Sequence, residues 1–126
     1  MVRCFLIEDD PDDQEIFLMA LRAIDPAIQC DVANGGLQAL AWLGNDQSFI
    51  PDYIFVDHSM PKMTGLECLG ELRKLKHLSK ARVIMFSTSS EPKIVERCRL
   101  LGADDFVVKP PTLGDMVGSI NQLIIK

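Results

Sequence analysis

The amino-acid sequence predicts an α/β fold in which five strands alternate with five helices. Four short apolar runs lack polar alternation, which is typical of strands buried on both faces. Helical patterns with their own start signals separate and follow the strand candidates, without a linker, repeat or low-complexity segment. Strictly alternating units of this kind predict a parallel sheet with helices on both faces and right-handed crossovers.

The strand candidates differ in strength. The four strong candidates are the apolar runs, and a weaker fifth candidate mixes apolar and polar residues. The strong candidates cover residues 4–7, 53–56, 83–86 and 106–108, and the weaker candidate covers residues 29–32.

Each predicted helix begins near a residue that can cap its free N–H groups. Asp10 precedes Pro11, which suits the first helical position, so the first helix is predicted to run to about residue 24. Thr64 and Glu67 have the spacing of a capping box, ahead of a helix that is predicted to end at about residue 75. The other predicted caps are Asn34, Ser90 with Pro92 after it, and Thr112, while Gly102 is predicted to end the fourth helix.

The composition bounds the class of protein. A length of 126 residues with 48% apolar residues predicts a single domain over residues 1–126, without an output domain. No run approaches the roughly 18 apolar residues that span a bilayer, and the early acidic residues are unlike a secretory signal. We therefore expect a cytoplasmic protein without membrane contact. The pI near 4.9 argues against direct nucleic-acid binding, because phosphate repels an acidic surface.

The whole net charge of −5 lies in residues 8–13, because the chain has 18 acidic and 13 basic side chains and five of the acids lie here. These acids are Glu8, Asp9, Asp10, Asp12 and Asp13. Like charges this close disfavour one another's ionised forms unless a cation binds or solvent screens them. Asp10, Asp12 and Asp13 suit a helix start, where the macrodipole favours anions. Glu8 and Asp9 remain as candidate cation ligands.

Polar side chains collect where the predicted strands end. They are Glu8 and Asp9 after the first strand, Asp57 after the third, Ser87 and Thr88 after the fourth, and Lys109 and Pro110 after the fifth. Because the carboxyl ends of parallel strands meet at one edge of a sheet, we expect these side chains to lie together, near a topological switch point.

This set of side chains suits a metal ion and a phosphoryl group. Three carboxylates around one point, from Glu8, Asp9 and Asp57, form a hard oxygen site that suits Mg²⁺. The hydroxyl of Ser87 and the ammonium of Lys109 are donors for phosphoryl oxygens, and Asp57 is then the carboxylate nucleophile. Such a transfer needs mostly in-line positioning and neutralisation of charge.

Four segments carry a resemblance to a known family. They are FLIEDDP, YIFVDHSMPKMTGLE, VIMFSTS and GADDFVVKPP. With these segments at these spacings, the chain resembles from end to end the CheY-like response regulator receiver domain of two-component signalling. The resemblance implies a flavodoxin-like, doubly wound (βα)5 fold with strand order 2-1-3-4-5. It also implies a signalling receiver, not an enzyme, that assists its own phosphorylation and dephosphorylation.

The resemblance implies a role for each matched residue. Asp57 matches the phosphoacceptor, and Glu8 and Asp9 match the acidic pair that holds Mg²⁺, or Mn²⁺ in its place, with Asp57 and the backbone carbonyl of Ser59. Lys109 matches the lysine that pairs with the phosphoryl group.

Further matches concern the switch between inactive and active states. Ser87 matches the hydroxyl residue that turns toward the phosphoryl group, and Phe106 matches the aromatic residue that repacks with it. The bond between Lys109 and Pro110 matches the family's cis peptide. Two departures are modest, since Glu8 replaces the commoner aspartate and Phe106 lacks the hydroxyl of the frequent tyrosine.

The resemblance also implies partners. A sensor histidine kinase or a phosphotransfer protein is the expected donor, and a downstream protein is the expected target. The fourth helix, fifth strand and fifth helix form the expected docking surface, which in relatives also pairs two receivers in a homodimer.

Three alternatives use a similar fold. A pseudo-receiver binds partners without phosphorylation, and the complete set of acids, hydroxyl and lysine counts against it. A flavodoxin-like cofactor carrier needs a neutral phosphate-binding loop where this chain has EDDPDD. A phosphatase with an aspartyl nucleophile needs a second aspartate two positions after Asp57, where this chain has Ser59.

Overall fold

Five strands and five helices alternate along the chain in the computed structural model, which describes residues 2–124. The strands are β1 (Arg3–Ile7), β2 (Gln29–Ala33), β3 (Tyr53–Asp57), β4 (Arg82–Ser87) and β5 (Asp105–Val108). The helices are α1 (Pro11–Ile24), α2 (Gly36–Asn45), α3 (Gly65–Leu72), α4 (Pro92–Leu100) and α5 (Leu113–Leu123), with a short 3-10 turn at Lys76–Leu78. The domain limits predicted at residues 1 and 126 lie outside the described residues. Within the described range, no helix has both the length and the apolar character needed to cross a membrane.

All neighbouring strands are parallel, and their order in the sheet is β2-β1-β3-β4-β5. The predicted flavodoxin-like, doubly wound fold with strand order 2-1-3-4-5 is therefore confirmed. From β1 the chain moves outward to β2 and then returns to the other side of β1 as β3. The crevice beyond the ends of β1 and β3 is consequently the switch point at which such folds bind ligands.

The sheet separates two hydrophobic cores. Side chains alternate along β1, so Phe5 and Ile7 pack on the side of α2, α3 and α4, whereas Cys4 and Leu6 pack on the side of α1 and α5. All five residues of β3 are buried, as expected for a central parallel strand. The strand ends that carry the candidate site are thus held by packing on both faces.

Three of the predicted helix starts are confirmed. The Asp10 carboxylate caps α1 by accepting hydrogen bonds from two N–H groups of the first turn. Thr64 and Glu67 form the complete capping box of α3, with each side chain bonded to the backbone of the other residue. Thr112 caps α5 by accepting a hydrogen bond from the Asp115 N–H.

Two of the predicted helix starts are wrong. The residue that precedes α2 is Gly35, with φ of +114°, and not Asn34. The Asn34 side-chain oxygen instead accepts a hydrogen bond from Gln14 Nε2, and α2 has no side-chain capping bond. Glu91, not Ser90, precedes the first turn of α4, and it makes no side-chain capping bond.

Arg73 joins the end of α3 to the strands beside it. The helix ends at Leu72, earlier than predicted, because the N–H groups of residues 74 and 75 bond three residues back and tighten the chain. The Arg73 guanidinium donates to the Gly102 carbonyl at 2.9 Å and pairs with Asp104 at 2.8 Å. It also donates to one carbonyl at the end of the 3-10 turn and to one just before β4. Gly102, with φ of +105°, ends α4 as predicted. One side chain therefore fixes the carboxyl end of α4 to the body of the domain.

Candidate functional site

The candidate site lies at the carboxyl edge of the sheet. Glu8 directly follows β1, Asp57 is the last residue of β3, and these two strands are neighbours. Lys109 directly follows β5, and its side chain reaches past the end of β4 to both carboxylates. Glu8 is 3% exposed and Asp57 is 4% exposed, so two acidic side chains are buried at the same edge.

Glu8, Asp9 and Asp57 form a cluster that fits a divalent metal ion. Each residue offers one carboxylate oxygen, and the three oxygens lie within 4.8 Å of one another. Hard cations such as Mg²⁺ bind oxygen ligands of this kind. Asp57 Oδ1 is buried at the end of β3. A carboxylate oxygen has two lone pairs, so beside its ion pair with the Lys109 ammonium at 3.0 Å this oxygen can still take an ion or a reacting group.

Lys109 is the positive partner of the site. Its ammonium donates hydrogen bonds to Glu8 Oε1 at 3.0 Å and to Asp13 Oδ2 at 2.9 Å. It also forms an ion pair with Asp57 Oδ1 at 3.0 Å. One ammonium therefore faces three carboxylates, and Asp9 adds a fourth nearby. The site retains negative charge that a cation can neutralise.

The environment changes the protonation of two groups in the site. Burial raises the pKa of the Glu8 carboxyl from 4.5 to about 7, the Asp57 charge adds to the rise, and the hydrogen bond from Lys109 opposes it. Burial would lower the pKa of Lys109, but the carboxylates of Asp13, Glu8 and Asp57 outweigh burial and raise that pKa. Lys109 is therefore charged at neutral pH, whereas Glu8 exchanges its proton close to neutrality.

The start of α3 holds the backbone at Asp57. His58 N–H donates to the Phe86 carbonyl at 2.8 Å, and Gly65 N–H donates to the His58 carbonyl at 3.0 Å. A Cβ atom at position 65 would stand 2.5 Å from the Asp57 carbonyl oxygen and 2.6 Å from His58 Cα. Glycine at this position thus allows α3 to approach the end of β3 closely.

The other predicted site residues take up distinct positions. Ser87 is buried at the end of β4, and its Oγ accepts a hydrogen bond from the Ser89 N–H at 3.1 Å. Thr88 lines a cavity of 290 Å³ that extends from the carboxylates and lysine toward α1 and α5. Phe106 is half-buried and packs against the core on the α4 side of the sheet, and Ser59 is exposed in the loop after β3.

The peptide bond between Lys109 and Pro110 is trans, so the predicted cis bond is wrong, and no peptide bond within residues 2–124 is cis. The trans form is the more stable isomer of most bonds before proline, by about 0.5–1 kcal/mol. Lys109 N–H extends the strand pairing by donating to the Ser87 carbonyl at 2.7 Å. With the trans bond, its ammonium still reaches the carboxylates.

Sequence reasoning missed two contributions to the site. Asp13 was expected only as a favourable charge at a helix start, yet it bonds Lys109. Gln14 Nε2 donates to the Glu8 carbonyl and to Asn34 Oδ1, both at 2.6 Å, and so ties two loops together at the edge of the sheet. The signal available in the sequence is that both residues lie in the first turns of a helix that begins directly after the acidic pair.

Known signalling proteins are similar to this chain. The response regulator receiver domain family matches residues 4–121. The two-component response regulator ORR1 of Oryza sativa subsp. japonica is 31% identical over 115 residues, which is 87% of this chain and 50% of that protein. The chain thus spans about half the length of this relative.

Solved structures share the fold of this chain. The chemotaxis response regulator CheY4 of Vibrio cholerae has a TM-score of 0.83 at 22% identity, over 98% of this chain and 99% of that chain. The Mn²⁺-bound form of the response regulator Rcp1 has a TM-score of 0.84 at 23% identity, over 98% of this chain and 91% of that chain. Since the family match extends over most of its length, the chain belongs to the response regulator receiver domain family of two-component signalling.

Proposed function

We propose that the protein accepts a phosphoryl group on Asp57 from the phosphohistidine of a sensor histidine kinase or phosphotransfer protein, and that this modification switches a partner-docking surface. The observation that carries the proposal is the state of Asp57 Oδ1. This oxygen is buried beside an acid pair and lies 3.0 Å from an ammonium. An acceptor oxygen in such a setting is positioned for an incoming electrophile and its charge-neutralising partners.

Glu8, Asp9, Asp57 and the backbone carbonyl of Ser59 would hold Mg²⁺, and Mn²⁺ would serve in its place. The donor set is all oxygen, as these ions prefer. When bound, the ion supplies neutralisation of the charge that builds up on the transferred phosphoryl group. The Mn²⁺-bound state of Rcp1 gives a precedent among proteins of the same fold.

The transfer itself exchanges one bond to phosphorus for another. An Asp57 carboxylate oxygen forms the new P–O bond while the P–N bond to the donor histidine breaks, and the electron pair of that bond returns to the imidazole nitrogen. Lys109 and the Ser87 hydroxyl would each donate a hydrogen bond to a phosphoryl oxygen. Lys109 is near enough already, since its ammonium is 3.0 Å from Asp57 Oδ1.

The phosphoryl group shifts the protein between two states only if it interacts better with one of them. In the proposed active state the Ser87 hydroxyl turns to the phosphoryl group, which removes the bond that its Oγ accepts from the Ser89 N–H. Phe106 then repacks beside α4. The docking surface is the face of α4, β5 and α5, for a downstream protein or a second copy of the chain. Exposed apolar side chains on these elements support it, namely Leu100, Val108 and Leu113.

Incubation with phosphoramidate and Mg²⁺, followed by intact-mass measurement, tests the proposal. The wild-type protein should gain the mass of one phosphoryl group, and the gain should disappear when Mg²⁺ is chelated. Asp57→Asn should abolish the gain. Asp115→Asn makes the same charge change at the exposed start of α5 and should leave the gain intact.

The same measurement separates the proposal from the pseudo-receiver alternative. A wild-type protein that gains no mass, or an Asp57→Asn variant that still gains it, would contradict phosphorylation at this residue and favour the pseudo-receiver. Pull-down from a lysate with and without the phosphoryl mimic beryllium trifluoride then tests whether partner binding depends on the modification.

A further inference from the structure

Asp9 is the acid of the metal cluster whose carboxylate has no protein partner. The carboxylates of Glu8 and Asp57 are buried, and each pairs with the Lys109 ammonium at 3.0 Å. The Asp9 side chain is half-buried, and it forms no hydrogen bond or ion pair with any residue between 2 and 124. The place of its carboxylate in the cluster therefore depends on the backbone of the turn between β1 and α1.

Hydrogen bonds hold that turn on both sides of Asp9. Before it, the Glu8 N–H donates to the Ala33 carbonyl at 3.1 Å, and the Glu8 carbonyl accepts from Gln14 Nε2 at 2.6 Å. After it, the Asp10 N–H donates to Glu8 Oε2 at 3.3 Å. Over the described range, Gln14 is the only side chain that bonds the peptide group joining Glu8 to Asp9.

The Gln14 side chain is itself held in place. An amide nitrogen has two N–H groups, and in Gln14 one donates to the Glu8 carbonyl and the other to Asn34 Oδ1. The Asn34 N–H donates in turn to Gln38 Oε1 at 2.7 Å, in the first turn of α2. Because both donors of the Gln14 amide are used, the side chain cannot rotate without breaking one of these bonds.

We propose that Gln14 is a positioning residue of the site: it holds the peptide group between Glu8 and Asp9 and so keeps the Asp9 carboxylate in the cluster that would bind a metal ion. This inference rests on the metal binding in the proposed function. Groups that hydrogen-bond metal ligands from outside typically contribute about 10–100-fold to metal affinity. Since Gln14 bonds the backbone of the ligands and not their carboxylates, its contribution should lie at the lower end of that range.

The Mg²⁺ affinity of the unphosphorylated protein, measured by isothermal titration calorimetry, tests the role of Gln14. Gln14→Met removes both donors, keeps a side chain of similar length and adds no charge, and it should weaken binding about tenfold. Gln122→Met is the matched control, because it makes the same change at an exposed position of α5. It should leave the affinity unchanged.

Removal of the Asp9 carboxylate isolates the mechanism. On an Asp9→Asn background, Gln14→Met should weaken Mg²⁺ binding by less than about twofold, because the carboxylate that Gln14 positions is gone. The ¹⁵N order parameter of the Asp9 amide in the metal-free protein is a second measurement, which does not need the Asp9→Asn variant to bind metal. It should fall in Gln14→Met and stay unchanged in Gln122→Met.

The outcomes separate this inference from the proposed function. Equal Mg²⁺ affinities of Gln14→Met and Gln122→Met, or an unchanged order parameter at Asp9, would overturn the role of Gln14. A tenfold effect of Gln14→Met that persists without the Asp9 carboxylate would do the same, since Gln14 would then act through another ligand. A wild-type protein that binds Mg²⁺ but gains no phosphoryl group refutes the proposed function alone. Absence of Mg²⁺ binding by the wild type refutes both.

Discussion

The raised pKa of Glu8 makes Mg²⁺ binding depend on pH near neutrality. Burial and the Asp57 charge raise this pKa from 4.5 to about 7. Because a metal ion binds the ionised carboxylate, binding must release the proton that Glu8 holds at lower pH. The ionised fraction of a group with this pKa falls from about nine-tenths at about pH 8 to about one-tenth at about pH 6. The apparent Mg²⁺ affinity should therefore fall roughly tenfold over that interval.

Calorimetric titration with Mg²⁺ at both pH values, in buffers of different ionisation enthalpy, measures the affinity and the protons released. Glu8→Gln is the control, because its amide does not titrate: binding should be weaker at each pH and almost independent of pH. A wild-type affinity that is the same at both pH values would refute the reasoning. It would mean that Glu8 is already ionised at about pH 6, as an exposed glutamate is.

The raised pKa of Glu8 also makes the stability of the metal-free protein depend on pH. Its stability should fall as the pH rises, whereas its Mg²⁺ affinity should rise. A raised carboxyl pKa means that the folded state favours the protonated form, so the contribution of Glu8 to stability is fully present below about pH 4.5 and is lost as the pH rises through about 7. A shift of this size corresponds to up to about 3 kcal/mol. In urea unfolding without metal, Glu8→Gln should consequently be more stable than the wild type at about pH 8 and lose this advantage at about pH 5.

Three further predictions concern the scaffold of the site, each measured by urea unfolding. Gly65→Ala should lower the free energy of unfolding by about 1–3 kcal/mol and weaken Mg²⁺ binding, because its Cβ would stand 2.5 Å from the last carbonyl of β3. Gly70→Ala in the same helix is the control, because a Cβ atom there meets no atom within 4 Å, and it should stabilise the protein by up to about 1 kcal/mol. Equal effects of the two variants would contradict the close approach of α3 to β3. Arg73→Ala should cost about 3 kcal/mol, whereas Arg82→Ala, which breaks an exposed ion pair, should cost less than about 1 kcal/mol. Lys62 has φ of +62°, so Lys62→Gly should stabilise by about 0.5 kcal/mol, and a loss of stability would show that its side chain makes a compensating contact.

The fold was predictable because its signals are local and repeated. Four of the five strands contain an apolar run, and three of the helices begin at a capping residue that bonds as its chemistry suggests. The position of the acidic cluster follows from the same reasoning, since parallel strands bring their ends to one edge. Glu8, Asp9 and Asp57 are adjacent for that reason alone.

The errors arise where a side chain has a choice of partners at long range. Asn34 is a good helix cap in isolation, but Gln14 from another helix takes its side-chain oxygen. Asp13 is a favourable helix-start charge in isolation, but Lys109 lies 96 positions away in the sequence and is its partner in the fold. Local sequence patterns predict which hydrogen bonds a side chain is able to make. They do not predict which of several groups, distant in the sequence, the fold brings next to it, so these two contacts could not be predicted.

The attachment of α4 at one end determines how this helix can move. Its carboxyl end is held where the Gly102 carbonyl accepts a hydrogen bond from Arg73. At its start, Glu91 makes no side-chain capping bond, but its N–H donates to the Ser89 hydroxyl. The Ser89 N–H in turn donates to Ser87 Oγ, which connects the start of the helix to Ser87. We expect a rearrangement at Ser87 to tilt the helix about the fastened end. At roughly 1.5 Å per residue the nine residues of α4 span about 13 Å, so a tilt of about 10° displaces the first turn by roughly 2 Å. A partner that distinguishes the unphosphorylated state from the proposed phosphorylated state should therefore contact the first turn of this helix, where the displacement is largest.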